Sequence, residues 1–377
     1  TESRHGIVLA KSYPAKRCGV KTGMVNWEAK CCCPDLIMVP PHYDQYLKYS
    51  RLVHAIYYRF TDLVEPYGMD ECWLDVTGSR KVLGSGLEIA EAIRRSVREE
   101  LGLTVSIGVS FNKIFAKLGS DMKKPDAITV ISKADFKNLV WPLPVEELLY
   151  VGPATKRRLM DRGITTIGQV AALPVETLKC WLGKNGVDLW YYASGYDASR
   201  VMHKDFVSPV KSIGHGITCV ADLVTEEERW KVLLELAQDV GRRLRLHQLA
   251  AMGVQVSARG SDLGVRQFQR RFNLATRSPY LLAQAGRQLL QERWPADKLV
   301  RALSIRGIDL VPQGRPQQPD VFTDVEHLVR RDKLETAVEE VRERFGKSAV
   351  RAAVLLGDLK MPEDGRDKVR MPGMMYK

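Results

Sequence analysis

Apolar positions along this chain switch repeatedly between a period near 3.6 and a period of two. Leu47, Val53, Ile56, Tyr57 and Phe60 recur at helical spacing between Tyr43 and Leu63. Leu87, Ala90, Ile93, Val97 and Leu101 repeat the pattern and stop at Gly102, a helix-ending residue. Between these helices, YGMDECWLDVTGS (67–79) reads as two short strands meeting near Asp70. LTVSIGVS (103–110) alternates Val105, Ile107 and Val109 with small or polar residues, the pattern of a half-buried strand. NKIFAKLGSDMKK then forms a short basic helix with Asn112 as its cap, and AITVI (127–131) a buried strand. The order β–β–α–β–α–β over roughly residues 1–140 predicts one antiparallel-rich sheet covered by helices, an α+β sandwich.

From 143 to 174 the pattern is helical and punctuated. A helix ends near Tyr150, VGPA makes a tight turn, and a second helix runs through Arg158 to Arg162 and stops at Gly163. Thr165 and Thr166 can cap a third, around Ile167–Ala172. This spacing resembles a helix-hairpin-helix. Gly152 would let the backbone come close to a phosphate, and helix-N-terminal N–H groups bind phosphate without reading sequence. A purely structural hairpin is the alternative; the basic run Lys156, Arg157, Arg158 favours phosphate.

VSPVKS (207–212) reads as a linker. Beyond it come strand (213–221), helix (225–247), strands (251–258 and 266–273), helix (279–292) and strand (299–311). This βαββαβ layout is ferredoxin-like, with two helices on one sheet face and the other face free for a partner. A polar, Pro/Gln-rich stretch surrounds Arg315. It leads to an amphipathic helix with Leu334, Val338, Val341 and Phe345, and the final MPEDGRDKVRMPGMMYK reads as a loose tail.

Charge sharpens this picture. The net charge is +12, and residues 211–315 hold 17 Lys and Arg against 10 Asp and Glu. So uneven an excess points to a polyanionic partner, nucleic acid before an acidic membrane surface. No apolar stretch reaches the roughly 20 residues that span a bilayer, and no basic-then-apolar segment opens the chain, which favours a soluble, cytoplasmic protein. Of seven cysteines, Cys31, Cys32 and Cys33 are consecutive, which suits neither a disulfide framework nor a zinc site. All seven read as reduced thiols.

Asp70 and Glu71 are the chemically pointed feature. Adjacent carboxylates repel unless a cation or donor set lies between them. Asp is also a common turn residue, so locally the pair fits a solvated turn as well as a metal site.

Four segments, in order, resemble the Y-family or translesion DNA polymerases, near the bacterial DNA polymerase IV and UV-repair branch. They are SYPAKRCGVKTGM (12–24), YGMDECWLDVTGS (67–79), SIGVSFNKIFAKLGSDMKKPDAITVI (106–131) and VGPATKRRL with RGITTIGQV. The resemblance implies a multidomain α+β right-hand polymerase. Its parts would be a ferredoxin-like palm over 1–140 with fingers inserted at about 8–45, a helical thumb with the helix-hairpin-helix over 141–206, and a linker over 207–212. A βαββαβ little finger over 213–315 and an extension over 316–377 complete the chain. Asp70 and Glu71 would be catalytic and would bind two Mg²⁺ ions, which stabilise attacking and leaving oxygens in nucleotidyl transfer. Tyr13, Lys16, Arg17 and Lys124 would bind the incoming nucleotide. At position 16 the family's usual arginine is replaced by lysine, which lacks the bidentate fork. Ser110, Asn112, Lys113 and Lys117 form the SxNKxxAK signature, read as support for the metal site, and Asp75 reads as structural. Gly152, Ala154, Lys156 and Arg157 would contact DNA.

Gln318, Asp320, Val321 and Phe322 in QPDVF resemble the peptide that docks bacterial polymerases on the sliding clamp, with Pro319 in place of the usual Leu. The implied partners are primer-template DNA, dNTPs and that clamp, for a monomer. One departure stands out: only TESRH precedes GIVLAKS, so the family's first palm strand, with a further metal-binding Asp and a ribonucleotide-excluding aromatic, has no counterpart. The expectation is an N-terminally incomplete polymerase, inactive alone. The rival readings are a palm-fold nucleotidyl cyclase and a non-catalytic DNA-binding accessory or inactive paralogue.

Overall fold

A computed structural model of the chain describes residues 6–321 and 323–362. Its described residues divide into two compact units, 41–208 and 209–362 together with 6–40. Of the expected tail, 361–377, Met361 packs against the core of the 213–312 region, and residues 363–377, the leading TESRH and Phe322 lie outside the described residues.

Within residues 6–40, α1 (Tyr13–Arg17) starts at Ser12, whose hydroxyl accepts from Ala15 N, and α2 (Asn26–Cys32) follows. Ala15, Val20 and Ala29 bury a small core, flanked by Val8, Met24, Cys33 and Leu36. The seven cysteines are free thiols.

The 41–208 unit opens with α3 (Tyr43–Tyr57), which ends earlier than the apolar spacing through Phe60 predicts. Phe60 packs against the same core from a turn, so the spacing continues after the helix has stopped. β1 (Val64–Pro66) and β2 (Cys72–Leu74) pair antiparallel. α4 (Arg80–Leu83) leads to α5 (Gly86–Leu101), which begins in a Ser85/Glu88 capping box and ends at Gly102 with φ +65°. β3 (Ile107–Ser110) and β4 (Ile128–Ile131) pair in parallel through α6 (Lys113–Met122), as a helical crossover allows.

The single sheet expected here is therefore two separate two-stranded ladders. Side-chain periodicity reports which face of a strand is buried, not which strand is its neighbour. Side chains tie the ladders instead: Trp73 Nε1 donates to Lys113 O at 3.0 Å, and Lys113 Nζ meets Glu65 at 2.6 Å. α6 lies so close on β3 that a Cβ on Gly108 would stand 1.9 Å from Ala116 O.

α7 (Phe136–Val140), α8 (Pro153–Met160), α9 (Ile167–Ala172), α10 (Val175–Leu182) and α11 (Lys184–Ala193) complete this unit. Phe115, Leu118 and Ile131 share one core with Leu159, Ile167, Val170, Leu178 and Leu189. The helix expected to end near Tyr150 is only a 3₁₀ turn, Val145–Glu147. Pro142 and Pro144 deny helix to the residues before it, and Val145 N bonds to Thr165 O at 2.9 Å instead. α8 ends two residues before the expected Arg162, and Thr166 caps α9 in a capping box with Gln169.

From 213 onward the predicted order holds: β5 (Ile213–Leu223), α12 (Glu226–Leu246), β6 (Leu249–Gly260), β7 (Val265–Thr276), α13 (Pro279–Arg293) and β8 (Val300–Pro312). The antiparallel sheet runs β5-β8-β6-β7, with the core between it and the two helices. Long strands with one wet face make this part easy to read from alternation.

α14 (Val325–Phe345) is present, but its apolar positions do not form its inner face. Leu334 and Phe345 are 65% and 69% exposed. Charge holds the helix instead: Asp332 accepts two bonds from Arg277, at 2.8 and 2.7 Å, and Glu335 meets Arg245 at 3.1 Å and Ser278 Oγ at 2.6 Å. After it, Leu355 and Leu359 bury themselves in the β5–β8 core. Among the described residues no helix is long and apolar enough to cross a membrane.

Candidate active site

The turn between β1 and β2 presents the two acids. Tyr67 N donates to Glu71 O at 2.8 Å to close it, and Ser50 Oγ donates to Met69 O at 2.6 Å to fix its tip. Asp70 is exposed and Glu71 half-buried. Their oxygens border the same space: a Cβ on Gly68 would lie 3.4 Å from Glu71 Oε2 and 3.9 Å from Asp70 Oδ1. An all-oxygen donor pair open to solvent suits a hard divalent cation. Among the described residues no group of three or more His, Cys, Asp or Glu side chains is placed to hold a metal, so the pair is a partial donor set.

A chain of alternating charge runs away from Glu71. Lys117 Nζ lies 2.9 Å from Glu71 Oε1 and 2.5 Å from Asp121 Oδ2, and Asp121 Oδ1 meets Lys124 Nζ at 2.7 Å. Burial alone would lower the Lys117 pKa, but the Asp121 and Glu71 carboxylates outweigh it and hold the ammonium above its ordinary range. Burial works against ionisation of Asp121 too, and Lys117 and Lys124 overcome it, so its carboxyl titrates below the usual range.

The SFNKIFAK residues sit behind this array. Ser110 Oγ donates to Ile131 O at 2.9 Å. Asn112 caps α6 by accepting from Phe115 N at 2.8 Å, and its amide reaches Gly195 O at 3.0 Å. Lys113 is bound to Glu65. Asp75 accepts from Thr77 N at 2.9 Å, a local turn contact. Cys72, next to Glu71, lies 3.1 Å from His54 Nε2, and burial pushes its thiol up to about 12.

Tyr13, Lys16 and Arg17 are exposed on α1, within the first 40 residues. In the 143–174 hairpin, Gly152 has φ −80° and nothing within 4 Å of where a Cβ would stand. Its backbone does not require glycine, so the missing side chain leaves open space in front of the α8 N-terminus. Ala154 and Arg157 are exposed, while Lys156 is paired with Glu146 at 2.6 Å.

On the β5–β8 sheet, Val254, Val256, Ala258, Leu303 and Ile305 face the core. Alternation then puts Gln255, Ser257, Arg259, Ser304 and Arg306 on the open face, with Gln267, Gln269 and Arg271 of β7. Gly214 and Gly216 lie opposite Arg306 and Ser304, and a Cβ on either would collide with those side chains at 2.9 and 2.5 Å. In the 318–322 segment Gln318 is exposed, Val321 is 93% exposed, and Asp320 meets Thr323 Oγ1 at 2.6 Å.

Residues 1–121 match the impB/mucB/samB family and residues 210–320 its C-terminal domain. The chain is 45% identical over 357 residues to DNA polymerase IV of Acetivibrio thermocellus, covering 95% of this chain and 90% of that one. This chain belongs to the Y-family of DNA polymerases. To DNA polymerase IV of Moorella thermoacetica it is 39% identical over 355 residues, 94% of this chain and 88% of the relative. Among solved structures, a Y-family DNA polymerase chimera superposes with a TM-score of 0.71 at 26% identity, over 83% of this chain and 89% of the other.

For a Y-family chain, two groups of residues escape a sequence reading. The open-face arginines at 259 and 306 become visible only when alternation is combined with knowing which face the helices cover. Asp121 gives no signal at all, since one acid in a basic helix reads as an ordinary solvated residue.

Proposed function

We propose that this Y-family chain is a translesion-type, DNA-directed DNA polymerase that adds dNTPs to a primer 3′-OH. The observation that carries the reading is the pairing of two convergent carboxylates, Asp70 and Glu71, with Lys117, which contacts Glu71, and Lys124, linked to Lys117 through Asp121. The 3′-oxygen attacks the α-phosphorus, the bond from that phosphorus to the β-phosphate oxygen breaks, and pyrophosphate leaves as the 3′-hydroxyl proton passes to solvent. Asp70 and Glu71 would hold two Mg²⁺ ions. When bound, these supply charge neutralisation at the attacking and leaving oxygens. Lys117 balances the Glu71 charge and Lys124 binds the triphosphate; by the family's pattern Tyr13, Lys16 and Arg17 are nucleotide-binding residues as well.

The domain assignment follows the family: palm 1–140 with fingers at about 8–45, thumb 141–206, linker 207–212, little finger 213–315 and extension 316–377. The α8 N-terminus, through Gly152, Ala154, Lys156 and Arg157, holds the duplex backbone, and the open sheet face with Arg259 and Arg306 holds it again without reading bases. The exposed Val321 with Phe322, flanked by Gln318 and Asp320, is the peptide for the bacterial sliding clamp. The protein acts as a monomer in the cytoplasm.

Primer extension on a labelled primer-template tests the polymerase reading. Template-directed, chelator-sensitive incorporation by the wild type, lost by about a thousandfold or more in Asp70→Asn, is the result the polymerase reading requires, and it would overturn the expectation of a chain inactive alone. Salt-sensitive DNA binding with no extension would mark a DNA-binding accessory instead.

A further inference from the structure

Asp121 occupies an unfavourable position by ordinary helix electrostatics. It lies in the last turn of α6, one residue before Met122 ends the helix, where the macrodipole disfavours a negative charge. Its two oxygens go to two different ammonium groups, Oδ2 to Lys117 at 2.5 Å and Oδ1 to Lys124 at 2.7 Å. Lys117 is little exposed and sits on α6 itself. Lys124 is about half-exposed and lies beyond the helix end, where Lys123 is already extended. One carboxylate therefore ties a half-exposed lysine beyond the helix to a largely buried one within it, and the buried one is tied to Glu71.

We propose that Asp121 is a positioning residue for nucleotide binding: it holds Lys124 beside the Asp70–Glu71 pair so that a polyphosphate meets an ordered cation. The assignment rests on the polymerase reading above. A lysine on a flexible four-carbon stem binds phosphate as a point charge, and fixing it in advance removes an ordering cost from each binding event. Like charges on Lys117 and Lys124 would otherwise drive the two ammonium groups apart, and the Asp121 carboxylate between them cancels that repulsion. A ligand contact made in the ground state alters KM more than kcat.

The test uses the full chain bound to primer-template with a dideoxy-terminated primer, so that dNTP binding is read at equilibrium without turnover, in Mg²⁺. Asp121→Asn is expected to weaken dNTP affinity about tenfold, leaving DNA affinity and the thermal midpoint near wild type, with Asp121→Glu recovering most of the loss. Extension with an ordinary primer should show the same rise in KM and a kcat changed less than threefold. Nucleotide affinity that is unchanged or tighter in Asp121→Asn overturns the assignment. An equal loss of DNA affinity or a large fall in the thermal midpoint also overturns it, since either marks a merely structural carboxylate. The wild type separates this from the polymerase reading. If wild-type protein fails to extend primers, that reading falls and the assignment with it; if it extends while Asp121→Asn binds dNTP normally, only the role of Asp121 falls.

Discussion

Lys117 places its ammonium 2.9 Å from Glu71 Oε1, so one of the two hairpin carboxylates has a protein counter-ion before any ligand arrives. A cation entering this site competes with that lysine. Glu71 is more than a third exposed, so solvent screens the pair, and an interaction of about 1 kcal/mol is the reasonable scale. Lys117→Met should therefore lower the half-saturating Mg²⁺ concentration about fivefold while reducing kcat/KM for dNTP. Metal titrations of primer extension measure both, and an unchanged or raised metal requirement would refute the competition.

The open sheet face makes a separate prediction about DNA. Arg259 and Arg306 project from adjacent strands on the open face. Replacing both by Ala should reduce the slope of log K against log salt by about 1.8, at roughly 0.9 per phosphate contact. Binding should weaken alike on unrelated sequences. Fluorescence anisotropy at several salt concentrations reads this, and an unaltered slope would place DNA elsewhere.

Two glycines differ in what they tolerate. Gly108 would put a Cβ 1.9 Å from the Ala116 carbonyl and 2.7 Å from Ser120 N, both backbone, so neither can rotate away. Gly108→Ala should cost about 3 kcal/mol, within the range for overpacking. Gly152→Ala meets nothing within 4 Å and should alter stability by less than about 0.5 kcal/mol, while weakening duplex binding. Urea unfolding alongside DNA titration distinguishes the two effects.

The α14 clasp should respond to acid. Arg277 binds Asp332 through two hydrogen bonds and holds its carboxyl below the usual carboxylate range, with Arg245 adding to the effect. A depressed folded-state pKa gives stability that is fully present above the unfolded value and lost as pH falls through the folded one. Asp332→Asn should thus be less stable than wild type by about 1 kcal/mol at pH 7 and pH 5, discounted for a side chain 41% exposed. The gap should close as pH falls below the ordinary carboxylate range and through the depressed folded-state value. A gap that persists unchanged in acid would show that the ion pair is not its source.

These predictions mark how far the sequence could be read. Gly102 ending α5, Asn112 capping α6 and the whole β5-to-β8 succession follow from local rules, because each signal lies within a few residues of its effect. Strand partners are different. β3 pairs with β4 and β1 with β2, and no periodicity in Ile107–Ser110 or Val64–Pro66 distinguishes that from a single sheet. α14 misleads for a related reason. Leu334 and Phe345 look like an inner face until Arg245 and Arg277, from more than 50 positions away, claim Asp332 and Glu335. The hairpin acids are legible as a pair; the turn that they close is seen in the Tyr67 N to Glu71 O bond, and the cation site is the reading proposed above.

Leu355 and Leu359 have a practical meaning for anyone dividing this protein. The family's C-terminal domain match stops at residue 320, yet both leucines are nearly fully buried in the core of that domain, and Val220 N bonds to Lys360 O at 2.9 Å. Each buried leucine is worth roughly 1.5–3 kcal/mol. A fragment cut where the homology ends would expose an apolar seam on the sheet and lose a large share of a typical domain's stability. The stretch that matches the family and the unit that folds here have different ends, and the second one runs some forty residues further.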